Sequence, residues 1–404
     1  MERKFIFINR YFYPDHSATS QMLSDLAFDL GGQGWDVSVI TSRQRYDNPG
    51  AGLAAAETVR GVRIYRVWTS RFGRRNLFGR TFDYFTFYTS AAWRLWRLVR
   101  RADVVVAKTD PPLISVVAAS VTRLRGATLV NWVQDLFPEV ASALGIRGMN
   151  SAVARVLRHL RNASLRIARM NVLVGDHMAA RVRGEGINAS RIRIIHNWAD
   201  GAAIHPQKNT ENALPREWGL ADKFVVGYSG NMGRAHEFTT ILDAAELVKG
   251  EPEIVFLFIG DGAQRPWIEA SVREKGLQNF VFKPYQPRQR LAQSLSVPDV
   301  HLVTLRSGLE GLMVPSKFYG IAAAGRPVLY IGDPEGDIVT IIQRANCGVA
   351  ISEGDAGSLA AQIRRLDSAY DLCLDMGRNA RAVFDQRFER RWALSTWKQL
   401  LSEI

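Results

Sequence analysis

Twice along this 404-residue chain, short apolar runs alternate with stretches of helical periodicity. In the first half the runs are Lys4–Phe12, Val37–Thr41, Val62–Trp68, Val104–Ala107, Thr128–Val133, Asn171–Val174 and Ile192–His196. Helix-periodic stretches such as Thr19–Leu30 and Thr81–Arg101 lie between them. A polar segment, Gly201–Arg216, with two prolines and no period, interrupts the pattern. The runs Phe224–Tyr228, Ile254–Ile259, Phe280–Phe282, Val300–Thr304 and Val328–Ile331 then restart it. Strands that alternate with helices in this way imply parallel sheets covered on both faces. The expectation is an α/β protein of two doubly wound, Rossmann-like domains facing across a cleft. The boundaries read as 1–205, a linker over 206–222, and 223–404, with the last helix packing back on the N-terminal domain.

Composition narrows the class. At 47% hydrophobic and 10% aromatic residues, the chain has the material for a large core and is neither disordered nor fibrous. Two cysteines, Cys347 and Cys373, make no disulfide framework and suit a reducing compartment. The N-terminus runs from Lys4 straight into Phe5–Ile8, without a cleavable leader pattern. The longest charge-free stretch, Pro111–Thr122, is too short to span a bilayer. A cytoplasmic protein is expected.

The net charge of +13 is uneven. Residues 1–205 hold 29 Lys+Arg against 15 Asp+Glu, and residues 206–404 hold 23 against 24. Within 63–101, ten arginines and one acid, Asp83, interleave with eleven aromatics. A second series, Arg155, Arg158, Arg166 and Arg169, is offset from a stripe of Val153, Leu157, Leu160 and Ile167. Nucleic acid, an anionic membrane surface, or solvation of a core helix each account for such a pattern.

Ligands of open parallel sheets bind beyond the carboxyl ends of the strands. Three loops of the second half stand there. Ser229-Gly230-Asn231-Met232-Gly233-Arg234 combines glycines, which allow close backbone approach, with an arginine fork and a helix opening near His236. Gly260-Asp261-Gly262 is similar. An ordinary turn explains either loop about as well. Neither half has a G-x-G-x-x-G after its first strand, which argues against a nicotinamide or flavin enzyme. The third loop runs Glu310-Gly311-Leu312-Met313-Val314-Pro315-Ser316-Lys317 and continues into Ala322–Ala324, Gly325, Arg326 and Pro327. It joins a carboxylate suited to sugar hydroxyls, a helix opening near Pro315, and a lysine for a negative group.

Glu310-Gly311, Pro315-Ser316-Lys317 and Ala323-Ala324-Gly325-Arg326-Pro327-Val328 together resemble the donor-sugar motif of GT-B glycosyltransferases of family 4. Tyr11–Asp15, Trp35–Thr41 and Ile195–Asp200 resemble other signatures of that family, so the likeness covers most of the chain. Ser17-Ala18-Thr19, Gln134–Glu139 and Gly230–Gly233 are similar to bacterial enzymes of lipid-linked surface polysaccharides, including the N-acetylfucosaminyl type.

The resemblance implies a retaining transfer without a bound metal or other cofactor. The donor is a nucleotide-diphosphate sugar, UDP-linked, and the acceptor a lipid-diphosphate-linked saccharide. No His/Asp/Glu cluster has metal-ligand spacing, so positive groups must steady the leaving diphosphate. By position these are Arg234 and Lys317, helped by the loop amides of Gly230, Asn231, Gly233, Gly260 and Gly262. Glu310 and Gly311 hold the donor hexose in this reading. Two departures stand out. Gly320 occupies the place of a second family glutamate that binds the ribose, and His236 that of a family lysine.

On the acceptor side Asp15, His16, Asp135 and Glu139 follow strands and can face the cleft. Asp15 and Asp135 are the candidates for positioning or deprotonating the acceptor hydroxyl. Arg94, Arg97, Arg100 and Arg101, with Trp93 and Trp96, are expected to dock on the anionic inner face of the cell membrane. Two other readings stay open. A nucleotide-sugar epimerase of the same fold would isomerise donor without acceptor. A nucleic-acid-binding protein would leave the second half's loops unexplained.

Overall fold

The computed structural model describes residues 3–46, 48, 50, 52–72, 77–146, 149, 151–207 and 211–404. The chain divides into two units, Met1–His196 with Ala393–Ile404, and Asn197–Trp392.

The first unit is built on apolar strands. These are β1 (Lys4–Ile8), β2 (Asp36–Ser42), β3 (Ala56–Val59), β4 (Val62–Val67), β5 (Val104–Lys108), β6 (Thr128–Val133), β7 (Met170–Leu173) and β8 (Ile192–Ile194). They form one sheet in the order β3-β4-β2-β1-β5-β6-β7-β8, parallel throughout except between β3 and β4. Phe5 sits opposite Val37 on one side and Val104 on the other, so β1 is central. Phe5–Ile8 and Val104–Ala107 are buried throughout, which explains their unbroken apolar character. The helices are α1 (Ala18–Gly32), α2 (Leu77–Leu98), α3 (Ile114–Arg125), α4 (Glu139–Ala143), α5 (Ser151–Ile167) and α6 (Asp176–Gly184). Phe87, Ala91 and Leu95, spaced by four along α2, join Ile6, Ile8, Val105 and Ala107 in the core.

In the second unit α7 (Leu214–Glu217) precedes β9 (Phe224–Ser229), α8 (Thr239–Leu247), β10 (Ile254–Ile259), α9 (Arg265–Glu274) and β11 (Phe280–Lys283). Next come α10 (Leu291–Leu295), β12 (Val300–Thr304), α11 (Lys317–Ala323), β13 (Val328–Gly332), α12 (Asp337–Ala345) and β14 (Gly348–Ser352). The chain closes with α13 (Ala356–Ser368), α14 (Tyr370–Val383) and α15 (Arg390–Glu403). Its sheet has the order β11-β10-β9-β12-β13-β14 and is wholly parallel. Two doubly wound α/β units are thus present, as the alternation implies.

Several boundaries differ from the expectation. The units part at His196 rather than at residue 205. The segment expected as a linker over 206–222 includes α7, and Leu214 and Leu220 are buried with Val225 and Leu257 in the second unit's core. Residues 208–210 lie outside the described residues. Ala393–Ile404 groups with the first unit, where Trp397 lies 4.7 Å from Trp132, ring to ring. Strand β1 ends at Ile8, because the Arg10 amide turns away to the Asp110 carbonyl, 2.6 Å. Helix α2 ends at Leu98, so Arg100 and Arg101 lie beyond it. Arg74 and Arg75 of the basic stretch lie outside the described residues.

Strand order reverses between β1 and β5 in the first unit, and between β9 and β12 in the second. Crevices open at such reversals, beyond the carboxyl ends of the strands.

Candidate active site

At the reversal in the second unit, the loops after β9, β10 and β12 interlock. The Gly230 amide donates to the Ile259 carbonyl and the Met232 amide to that of Asp261, both at 2.8 Å. Gln264 Nε2 donates to the carbonyls of Gly233 (2.7 Å) and His236 (3.0 Å). The Arg306 amide donates to the Ala235 carbonyl, 3.0 Å. Glycine is required at several positions here. Gly230 has φ of +124°, and a Cβ on it would lie 2.8 Å from Lys317 Cε. Gly260 has φ of +130°, and a Cβ there would collide with the Gly230 carbonyl oxygen.

Lys317 opens α11 and bends back over this loop. Its Nζ donates to His236 Nε2 at 2.9 Å and stands 5.1 Å from the Tyr228 ring centroid. His236 Nδ1 donates to the Thr304 carbonyl at 2.6 Å, which leaves Nε2 as the acceptor facing lysine. Burial, then the Lys317 charge, hold His236 neutral with a pKa of about 3, against the opposing Thr304 bond. Burial lowers Lys317 from 10.5 to about 7. The result is a half-buried, oriented cation above a glycine turn, suited to an entering diphosphate.

The other expected residues are placed less uniformly. Asn231 and Arg234 are exposed beside the turn, and Ser316 is half-buried at the opening of α11, after the buried Pro315. Gly233 and Gly262 belong to the interlocked loops, and Gly311 follows in the buried turn before α11. The helix after the first loop begins at Thr239, not near His236. Its first amides are not free: the Glu237 carboxylate accepts from Thr239 (2.6 Å) and Thr240 (3.1 Å). Glu310 is buried, and its Oε1 accepts from the Asp337 amide at 3.0 Å, where α12 opens. Tyr330 donates to Glu310 Oε2 at 3.4 Å. Glu310 therefore ties down α12, an attachment its motif did not reveal. A Cβ on Gly320 would make only ordinary contacts, with Leu295 and Ile204, so the position has room for the missing side chain.

In the first unit, both carboxylate oxygens of Asp15 are engaged in the loop after β1. They accept from the amides of Ser17 (2.8 Å) and Tyr46. His16 is exposed, and Glu139 accepts from Arg161 at 2.7 Å. Asp135 stands differently. Burial, then the Asp110 charge, raise its pKa to about 6, and Lys108 opposes them.

Lys108 was not anticipated from the sequence. It ends β5 fully buried, with Nζ 3.4 Å from the Trp132 ring centroid and without a hydrogen-bond partner. Burial lowers its pKa well below the ordinary value, against the pull of Asp110, Asp135 and Asp25. The one available signal was a lysine closing the apolar run Val104–Ala107 at a carboxyl end. Among the described residues, no group of three His, Cys, Asp or Glu side chains has a metal-holding arrangement.

On α2, Trp93 and Trp96 are exposed. The Arg97 guanidinium lies over the Trp93 ring (5.3 Å), and Arg94 over that of Tyr65 (4.2 Å). Arg100 and Arg101 are exposed after the helix. On α5 the stripe of Val153, Leu157, Leu160 and Ile167 is turned largely to solvent: Val153, Leu160 and Ile167 are exposed and Leu157 is half-buried, with Val156 exposed beside them. Polar Arg161, Asn162 and Ser164 are buried on the same helix.

Residues 18–198 match the family described as Glycosyl transferase 4-like domain, and residues 211–383 that described as Glycosyl transferases group 1. WbjE of Pseudomonas aeruginosa, named as a probable glycosyltransferase, is 31% identical over 77% of this chain and 78% of its own. WcaI of Escherichia coli (strain K12), assigned to the glycosyl transferases of colanic acid biosynthesis, is 25% identical over 77% of this chain and 79% of its own. In fold, the chain is similar to Anabaena Alr3699/HepE, solved with UDP and glucose. That match has a TM-score of 0.74 and 16% identity, and covers 100% of each chain.

Proposed function

From the premise that this chain belongs to the family 4 glycosyltransferases, with the GT-B fold, we propose a metal-independent, retaining transfer from a UDP-linked sugar to a lipid-linked saccharide. The transferred unit is a hexose or N-acetylhexosamine, of which N-acetylfucosamine is one case. The pathway proposed is bacterial surface polysaccharide synthesis, in keeping with the colanic acid biosynthesis to which the name of WcaI refers. One observation carries the reading. The Lys317 ammonium is aimed by neutral His236 across Gly230, at the strand-order reversal of the second unit.

A diphosphate seated there places its negative oxygens against Lys317, with exposed Arg234 within the same loop system. As the bond from the anomeric carbon to the diphosphate breaks, its electron pair stays on the phosphate oxygen. A fixed cation stabilises that charge most where water is excluded. The acceptor oxygen then bonds to the anomeric carbon and releases its proton. On the first unit, Asp135, with its pKa raised to about 6, is the group proposed to orient an acceptor hydroxyl. Asp15 braces its loop instead.

The outward residues of α2 and α5 support a peripheral position on the inner face of the cell membrane. Both helices pack against α3, and both present apolar side chains beside arginines. No helix among the described residues is long and apolar enough to cross a membrane.

A thermal-shift screen of nucleotide sugars identifies the donor, since binding stabilises the fold by mass action. With that donor, Lys317→Met should reduce transfer by about a hundredfold or more while the unliganded melting temperature is kept. Transfer at the native rate would remove the assignment.

A further inference from the structure

A recess of about 390 Å3 opens in the first unit just beyond β4, on the carboxyl edge of the sheet. Trp68, Thr69, Ser70, Arg71, Phe72 and Phe82 line it. Its size falls within the roughly 300–1,000 Å3 of small-molecule sites. Three of its walls are aromatic side chains held out in solvent: Trp68 is 62% exposed, Phe72 65% and Phe82 49%. The Phe72 and Phe82 rings meet edge to face at 5.3 Å.

The loop that holds them is braced from beneath by buried polar bonds. Ser70 Oγ donates to Asp83 Oδ1 at 2.6 Å, and the Phe72 amide donates to the same oxygen at 3.1 Å. Gln44 Nε2 donates to the carbonyls of Thr69 (3.1 Å) and Ser70 (2.6 Å). The Thr69 and Ser42 hydroxyls bond to each other at 3.1 Å. Buried Arg10 stands 3.8 Å from Asp83. A network of this kind fixes one loop conformation, although the side chains it displays are apolar and wet.

The same bonds select the ligand. A sugar ring needs hydrogen-bond partners beside its stacking face, but the polar groups of Thr69 and Ser70 are engaged within the loop. What remains is carbon surface plus the exposed Arg71 guanidinium at the rim. Next to the recess, Phe82 and Phe85 begin an exposed line on α2 that continues through Trp93 and Trp96 beside Arg94 and Arg97. Hydrocarbon with an anionic end complements all of this.

We propose that the recess receives the hydrocarbon tail of the lipid-diphosphate acceptor, in the stretch next to the diphosphate, and that Arg71 pairs with the diphosphate itself. This rests on the reading of a lipid-linked acceptor, and it adds a place for the tail that is separate from the bulk bilayer.

The test uses the full chain and geranylgeranyl diphosphate, with binding followed by calorimetry. Saturable binding is expected, with inorganic diphosphate at least about tenfold weaker. The double variant Trp68→Ala/Phe82→Ala should weaken the prenyl compound about tenfold, and Arg71→Gln should weaken both ligands. The UDP-sugar thermal shift should be unchanged in all variants, which also shows that they fold.

Equal affinity of wild type and the double variant for geranylgeranyl diphosphate would overturn the site. So would a parallel loss of binding to phosphatidylglycerol vesicles free of prenyl lipid, because the aromatics would then be a bilayer contact. Competition by a soluble, lipid-free oligosaccharide would overturn it in favour of a sugar site. Failure of the wild-type enzyme to transfer sugar to any prenyl-diphosphate acceptor would instead remove the acceptor reading, independently of these variants.

Discussion

Lys317 is an ammonium taken part of the way out of water before any ligand arrives, and that has a sign. In the free protein it loses its proton near pH 7, since burial lowers its pKa from 10.5 to about 7. Between those values the unfolded chain binds this proton and the folded chain does not, so the group's contribution to stability rises with pH across that window. The diphosphate of a nucleotide-diphosphate sugar keeps its charge across the same range, and its oxygens favour the ammonium. Donor binding above pH 7 should therefore take up a proton, and affinity should fall by up to about tenfold for each pH unit. Calorimetry at pH 8 in two buffers of different ionisation enthalpy reads the uptake directly. In Lys317→Met the uptake should vanish and the weaker affinity should be flat with pH. Gly230→Ala tests the same contact from below. Its Cβ would press on Lys317 Cε at a φ of +124°, so donor KM should rise about tenfold or more, with about 1–3 kcal/mol of backbone strain.

At the scale of elements, Glu310 shows how much a motif conveys. Its sequence neighbours mark a donor loop, yet its carboxylate caps α12, whose first residue Asp337 is distant in sequence. Glu310→Ala should remove that cap and lower stability by about 1–2 kcal/mol, read as a reduced urea midpoint at unchanged slope. Glu310→Gln keeps an acceptor for the Asp337 amide and should recover most of this. A donor KM that stays raised in Glu310→Gln, with stability restored, would assign the carboxylate a contact to the sugar as well.

The contrast explains what was legible. Period and β-branched runs placed the strands and the loops at their carboxyl ends, because those depend on local chemistry. Lys317 and Gly230 were readable for the same reason. Partners across the fold were not. Nothing adjacent announces that Asp15 holds Tyr46, or that Lys108 is buried against Trp132. The α5 stripe stayed open to several readings because a period says which residues share a face and not what covers that face.

For the molecule as a whole, the division of charge becomes sharper on the structural units than on halves of the sequence. The first unit carries 30 Lys+Arg against 15 Asp+Glu, and the second 22 against 24. An anionic surface therefore attracts one unit and is nearly indifferent to the other, which favours one orientation of approach. Each exposed arginine near such a surface contributes about 1 kcal/mol, and the attraction decays over a Debye length. Arg94, Arg97, Arg100 and Arg101 are not equivalent in this. Arg94 is half-buried over Tyr65, whereas Arg97, Arg100 and Arg101 are exposed. Replacing those three by Gln should lower partitioning onto phosphatidylglycerol vesicles by about a hundredfold at low salt, and Arg94→Gln alone should do much less. Raising the salt should shrink the difference between wild type and the triple variant, because the lost contribution is electrostatic. Cosedimentation at two ionic strengths checks both statements. An equal loss from Arg94→Gln, or a difference indifferent to salt, would mean that these arginines hold the α2 surface together rather than drawing it to lipid.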